Sequence, residues 1–274
     1  MPSPDPVGAE SIGYLVRPWE PVRGTVHSSY DTAINLSLGS LWCSLVPARV
    51  PDGPASIRIP EQRWPLMSAV QRGDRVALRG ASLRVGVVRI DLRTAGVWRP
   101  TVGSLRVVAG IGSRLAQLRH AADRSGGARW ISPQLGSVLE SDAPGLGELI
   151  RPLIGRGIGL TPAGDDALVG AMAASWLLRD QSRRAAALHI RLASAVRANL
   201  HRTTDLSAAF LAMAGEGHFQ RPLLAAAVAV VGGGTPVESL ALLRVGATSG
   251  ADCALGLACA AQHIIQTQPN KVAA

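Results

Sequence analysis

Between about Arg23 and Val108 the chain reads in short β-like runs of mixed apolar and polar positions, and after about Gly110 apolar residues come in helical lengths. The first part contains RGTVHSSY, AINLSLG, LWCSLVP, SIRIP, RVALRG and SLRVGVVRIDLR, separated by proline and glycine. Ile57-Arg58-Ile59 and Val88-Arg89-Ile90-Asp91-Leu92 place apolar and charged residues on opposite faces of a strand. Such spacing predicts a small antiparallel sheet or barrel. The second part predicts helices over about 113–124, 146–154, 165–180, 183–201, 206–214, 220–231, 236–244 and 250–266. Arg183 to Leu200 is amphipathic, with Leu188, Leu192 and Val196 four apart, whereas 167–178 and 253–261 are apolar on every side and belong in the middle of a bundle. The expected fold class is therefore α+β. A loose leader over 1–22 precedes a β-rich domain over 23–110, and an α-helical domain over 111–274 carries the motifs.

Composition narrows the function classes. The chain has 274 residues, 47% hydrophobic, which suffices for a real core. The N-terminus lacks a basic stretch followed by an apolar one, so no secretory signal is expected. The longest apolar runs fall short of the roughly 18–20 residues of a membrane span. Cys43, Cys253 and Cys259 have neither disulfide density nor zinc-knuckle spacing, and core packing in a reducing cytoplasm is the expectation. The net charge of +9 is almost all arginine, since Lys271 is the single lysine, and it is spread over both halves. With 4% aromatic residues and no basic run, a nucleic-acid partner is not expected; an arginine-rich surface suits a small anionic substrate.

Three polar helix starts carry the candidate chemistry. GRGIGLTPAGDDALVG (155–170) is echoed by GATSGADCALG (246–256), and HRTTDLSAAF lies between them. Capping alone accounts for each: Thr161 as N-cap with Pro162 in the first turn, and Ser249 with Asp252 at capping-box spacing. Capping does not account for four glycines and two adjacent carboxylates in front of a buried helix. Carboxylates at the mouth of an apolar core need a divalent cation, an arginine or backbone N–H groups, while glycines and free N–H groups at a helix start favour an anion. Proline at 162 argues against a dinucleotide fingerprint. There is no Walker loop and no GxSxG elbow, and the six histidines lack metal-ligand spacing.

Taken together, GxGLTPAGDDxLxG, TTDLS, AGEGHF (214–219) and GATSGAD resemble the AllH-type subunit family associated with oxamate carbamoyltransferase; the resemblance is sharp over about 155–256. It implies a subunit of an assembly that moves a carbamoyl group between phosphate and oxamate, as in purine or allantoin catabolism. The ligands would then be carbamoyl phosphate and oxalurate, and the partners other subunits of the complex, with a homo-oligomer as a further expectation. By motif position Gly159, Thr161, Gly164, Asp165 and Asp166 would form one wall, Thr204 and Ser207 a second, and Thr248, Ser249 and Asp252 a third. The hydroxyls and amides would hold phosphate or carboxylate, and Asp165, Asp166 and Asp252 would bind Mg2+ or accept a proton. Arg156 would clamp the anion. The alternative is a non-catalytic interaction subunit whose motifs are caps, with Asp165, Asp166 and Asp252 far apart.

Overall fold

The computed structural model describes residues 5–16, 21–102, 105–141 and 145–266. The chain forms two compact units, Met1–Thr101 and Val102–Ala274. The fold is α+β, strands first and helices after.

In the first unit the β-like runs become β3 (Val22–Tyr30), β4 (Ala33–Leu38), β5 (Leu41–Pro47), β6 (Ser56–Ile59), β7 (Arg75–Arg79), β8 (Ser82–Val85) and β9 (Val88–Asp91). The single run expected over 82–93 is split by the turn at Gly86, whose φ of +55° suits glycine. Alternation is realised as expected: Leu83 and Val85 are buried while Ser82 and Arg84 face out. Ile57 and Ile59 are likewise buried, with Arg58 between them only half-buried. Three further short strands, β1 (Val7–Gly8), β2 (Ser11–Gly13) and β10 (Gly96–Trp98), complete a ten-stranded sheet in the order β1-β9-β8-β7-β3-β4-β5-β6-β2-β10.

The supposed leader is thus structural in part. β1 pairs with β9, and after only Ala9 and Glu10 the chain pairs as β2 with β6 and β10. Ala9 N–H donates to Asp91 O and Glu10 N–H to Arg58 O, both at 2.9 Å, so this segment joins the two ends of the sheet in a barrel-like closure. Closure satisfies edge N–H and C=O groups that an open sheet would expose. A 3-10 helix at Glu61–Ala69 buries Met67 in the unit's core, the cluster that also holds Leu45, Ile57 and Ile90.

The second unit contains α1 (Ile111–Arg124), α2 (Ile131–Glu140), α3 (Leu146–Ile150), α4 (Ala163–Leu177), α5 (Arg183–Asn199), α6 (Asp205–Gly215), α7 (Arg221–Gly232), α8 (Pro236–Ala241) and α9 (Ser249–Gln266). The two helices without a polar face, α4 and α9, pack on each other in the middle. α1, α2 and α7 also pack on α9, and α5 and α6 on α4. α2 was not expected, because Pro133 and Gly136 interrupt its pattern; Pro133 lies in the first turn, where a missing N–H leaves no helical bond unmade.

α4 and α9 approach closely because glycines face the contact. A Cβ on Gly170 would stand 2.0 Å from Cys253 O, and one on Gly256 would stand 1.9 Å from Ala167 O. The two contacts are reciprocal. Nearer the helix starts, Thr161 Oγ1 lies 2.9 Å from Ser249 Oγ. Contacts therefore advance together along both helices, which run in the same direction with their N-terminal ends side by side.

Candidate functional site

The turn before α4 is built for close backbone approach. At Gly155 φ is +74°, and a Cβ there would meet Arg202 O at 2.3 Å. Gly164 N–H donates to Arg156 O at 2.9 Å, and a Cβ on Gly164 would fall 2.0 Å from Leu153 O. Thr161 is not the N-cap. Pro162 takes that position in extended conformation with no side-chain cap, which frees the Thr161 hydroxyl to meet Ser249. Nor is Ser249 the N-cap of a capping box with Asp252: it is the first residue of α9, and the Asp252 carboxylate turns elsewhere.

The adjacent aspartates have different surroundings, since neighbours on a helix point about 100° apart. Asp165, fully buried, accepts from Gly155 N–H at 2.8 Å on Oδ1, and from Ser207 Oγ–H at 2.7 Å and the Thr203 hydroxyl on Oδ2. Burial pushes its carboxyl upward, opposed by Thr203, the Gly155 N–H and Ser207. Thr204 caps α6, accepting from Ser207 N–H at 3.1 Å, and donates to Leu160 O at 2.5 Å. The TTDLS start and Asp165 thus fasten α6, the glycine turn and α4 together.

Asp166 and Asp252 are placed differently. Asp166 is 7% exposed and Asp252 1%, and Oδ2 of each is buried without a hydrogen-bond partner. Oδ1 of Asp252 accepts from Ala128 N–H at 2.8 Å. Burial drives the Asp166 carboxyl well above the ordinary range; the Ser249 and Thr161 hydroxyls oppose this, and the Asp252 and Asp165 charges add to it. Asp252 is raised by burial against the pull of Ala128 N–H and the Thr248 hydroxyl. Among the described residues no lysine, arginine or histidine acts on any of the three carboxyls. Cys253 follows Asp252 on α9, and its backbone carbonyl faces Gly170 of α4. Burial, with Asp166 and Asp252 nearby, holds it as an unreactive thiol.

The expected three-aspartate metal cluster does not form. The Asp165 carboxylate is directed into its own hydrogen bonds, and among the described residues no group of three His, Cys, Asp or Glu side chains is arranged to hold a metal ion. What the structure brings together is Thr161, Asp166, Thr248, Ser249 and Asp252. Thr204 and Ser207 stand behind them as support.

The echo between the two motifs is structural. Gly250, two residues before Asp252, has its Cβ position 1.9 Å from Leu242 O, as Gly164 does against Leu153 O before Asp166. Gly170 and Gly256, four residues after each aspartate, make the reciprocal helix contact. Asp166 and Asp252 therefore occupy equivalent places in two like helix starts.

Two contributors escaped the sequence reading. Ala128 acts through its backbone N–H, which no residue type announces. Its loop reaches the site because Gly126 abuts Thr248 and Gly127 abuts Leu255. Trp130 carries the Arg156 guanidinium 4.0 Å over its ring. Arg156 and Gly159 are on the exposed rim, beside Ile158, which is 96% exposed.

The family model described as oxamate carbamoyltransferase subunit AllH matches residues 153–261, which hold all three helix starts. The model of the AllH family N-terminal domain matches 10–97. The chain belongs to the AllH family. No curated protein and no solved structure matches it. The AllH match begins after Ala128 and Trp130, so the loop that donates to Asp252 lies between the two matched stretches. The AllH description is that of an enzyme subunit, and among the described residues no helix is long and apolar enough to cross a membrane.

Proposed function

We propose that this AllH chain is the subunit that holds the carbamoyl-bearing substrate of an oxamate carbamoyltransferase, at the adjoining starts of α4 and α9. The observation that carries the reading is the pair of buried carboxylate oxygens, Asp166 Oδ2 and Asp252 Oδ2, left without partners in an otherwise satisfied site. A buried acceptor without a donor costs about 1–3 kcal/mol, more when charged, and such a cost is retained where a ligand removes it.

In the degradative direction phosphate attacks the carbamoyl carbon of oxalurate. A phosphate O–C bond forms, the C–N bond to oxamate breaks, and the departing nitrogen takes up a proton. The attacking hydrogenphosphate carries that proton and in the reverse direction takes it back, while Asp166 and Asp252 face the reacting group with their unmet oxygens. The N-terminal ends of α4 and α9 lie side by side, so their positive dipole ends act at the same place, where charge develops on the carbamoyl oxygen. Thr161, Thr248 and Ser249 orient the ligand, and Arg156 faces its phosphate or carboxylate from the rim. Asp165, Thr204 and Ser207 position the wall.

The test is Asp166→Asn, assayed for phosphate-dependent oxalurate cleavage with the partner subunits present. Turnover is expected to fall about 100-fold, on the order of the loss of one group that stabilises the transition state, while folding is kept. Unchanged turnover removes Asp166 from the mechanism. A second reading, a scaffold subunit whose motifs are structural, draws support from the fully engaged Asp165, Thr203 and Ser207. It predicts that Asp166→Asn and Asp252→Asn leave turnover intact.

A further inference from the structure

The starts of α4 and α9 set a charge problem that the protein does not solve with its own side chains. Two carboxyl groups, each more than nine-tenths buried, come from equivalent positions, and each ends in an oxygen with no donor. They repel one another, and no arginine, lysine or histidine among the described residues offsets them. Asp165 is excluded as a third member by its three hydrogen bonds. An anionic ligand entering here meets two acceptors and needs a positive mediator.

We propose that Asp166 and Asp252 together hold one divalent cation of the Mg2+ class, with water and a phosphate or carboxylate of the ligand completing its coordination. Mg2+ is suited to this role. It keeps several waters and is commonly held by one or two carboxylates together with substrate oxygens, so a cage of three protein ligands is not required. The Thr161 and Ser249 hydroxyls, linked to each other at 2.9 Å and leaning on Asp166, leave that carboxylate's second oxygen for the ion. The cation would join the acidic pair to the anionic group that Arg156 meets at the rim. The purpose of the ion rests on the carbamoyl-transfer reading; its existence does not.

The experiment is Mn2+ titration of the full chain followed by electron paramagnetic resonance, alone and with inorganic phosphate. The expected result is one Mn2+ bound per chain, displaced by Mg2+, lost in Asp166→Asn and in Asp252→Asn, and kept in Asp205→Asn, whose carboxylate is exposed at the start of α6. Absence of site binding up to roughly 10 mM Mn2+, with and without phosphate, overturns the proposal, as does binding that survives both substitutions. Should either variant fail to fold, the wild-type chain decides: Mg2+ is expected to raise its melting temperature, and no rise overturns the site. Mn2+ binding without oxalurate cleavage in the assembled complex would sink the function and leave the cation. Cleavage that persists in chelator without bound Mn2+ would do the reverse.

Discussion

Asp166 and Asp252 are structural equivalents: each follows by two residues a glycine pressed on a backbone carbonyl, and each precedes by four a glycine at the α4–α9 contact. The arrangement places two acidic side chains at the joined ends of two buried helices, and both keep one unmet oxygen. Local sequence thereby controls a nonlocal meeting. The glycines let the helices touch, and the touching helices bring the carboxyls together.

The close contact makes a prediction of its own. Alanine at Gly170 or Gly256 would place a Cβ about 2 Å from a carbonyl oxygen of the facing helix. Each substitution should therefore destabilise by on the order of 1–3 kcal/mol, against the ~1 kcal/mol that replacing a helical glycine ordinarily returns. Urea denaturation should show this loss and a gain or no change for Gly112→Ala, where a Cβ meets nothing within 4 Å. Equal stability of all three variants would remove the packing argument.

Asp165 should behave as a fastener. Asp165→Ala leaves the Gly155 N–H and the Thr203 and Ser207 hydroxyls without their acceptor. A loss on the order of 3 kcal/mol is expected by denaturation. Turnover per folded molecule should drop less than in Asp166→Asn; the opposite order would return Asp165 to the chemistry.

Asp166 has the reverse effect on stability. Its folded carboxyl is raised above the ordinary value, first by burial, so the folded chain binds the proton more tightly than the unfolded chain does. That contribution is complete below about pH 4, the unfolded aspartate range, and is lost as pH rises through the folded value. Without ligand, wild-type stability should decline from pH 4 towards neutrality relative to Asp166→Asn. The Asn variant should be the more stable of the two at pH 7. Parallel stability curves for the two proteins, measured by denaturant midpoint across pH, would contradict the assigned shift.

Much of the fold could be read because its elements carry their own periods. Strands β6 to β9 alternate between turn residues, β4 and β5 are short apolar-rich runs bounded by turns, and α4 and α9 announce their burial by having no polar face. β1, β2 and β10 could not be read: two or three residues have no period, and their partners define them. α2 hid behind Pro133 and Gly136 although Ile131, Leu135, Val138 and Leu139 fall on one face and are buried. At the site the three helix starts were legible from their glycine, hydroxyl and carboxylate composition. Which carboxylate stays free was not. Asp165 and Asp166 differ only by a turn of the helix toward α6 or toward α9, and the decisive donors, Ala128 N–H and Thr203 Oγ1, lie 124 and 38 residues away from the groups they serve.

The rim offers the remaining prediction. Arg156 is exposed, yet its guanidinium is held 4.0 Å over the Trp130 ring, so its orientation is set before a ligand arrives. A planar fork fixed in this way can meet a phosphate or carboxylate with two hydrogen bonds and little further ordering, which a lysine cannot do. Arg156→Lys should therefore raise the KM for phosphate about 10-fold, in keeping with the loss of one charge-assisted bond, while kcat changes little. Trp130→Leu leaves the charge but removes the platform, and a smaller rise in the same parameter is expected. The two losses should not add in the double variant, because the indole acts only through the guanidinium. Independent, additive effects would mean that Trp130 serves the Asp252 loop and not Arg156.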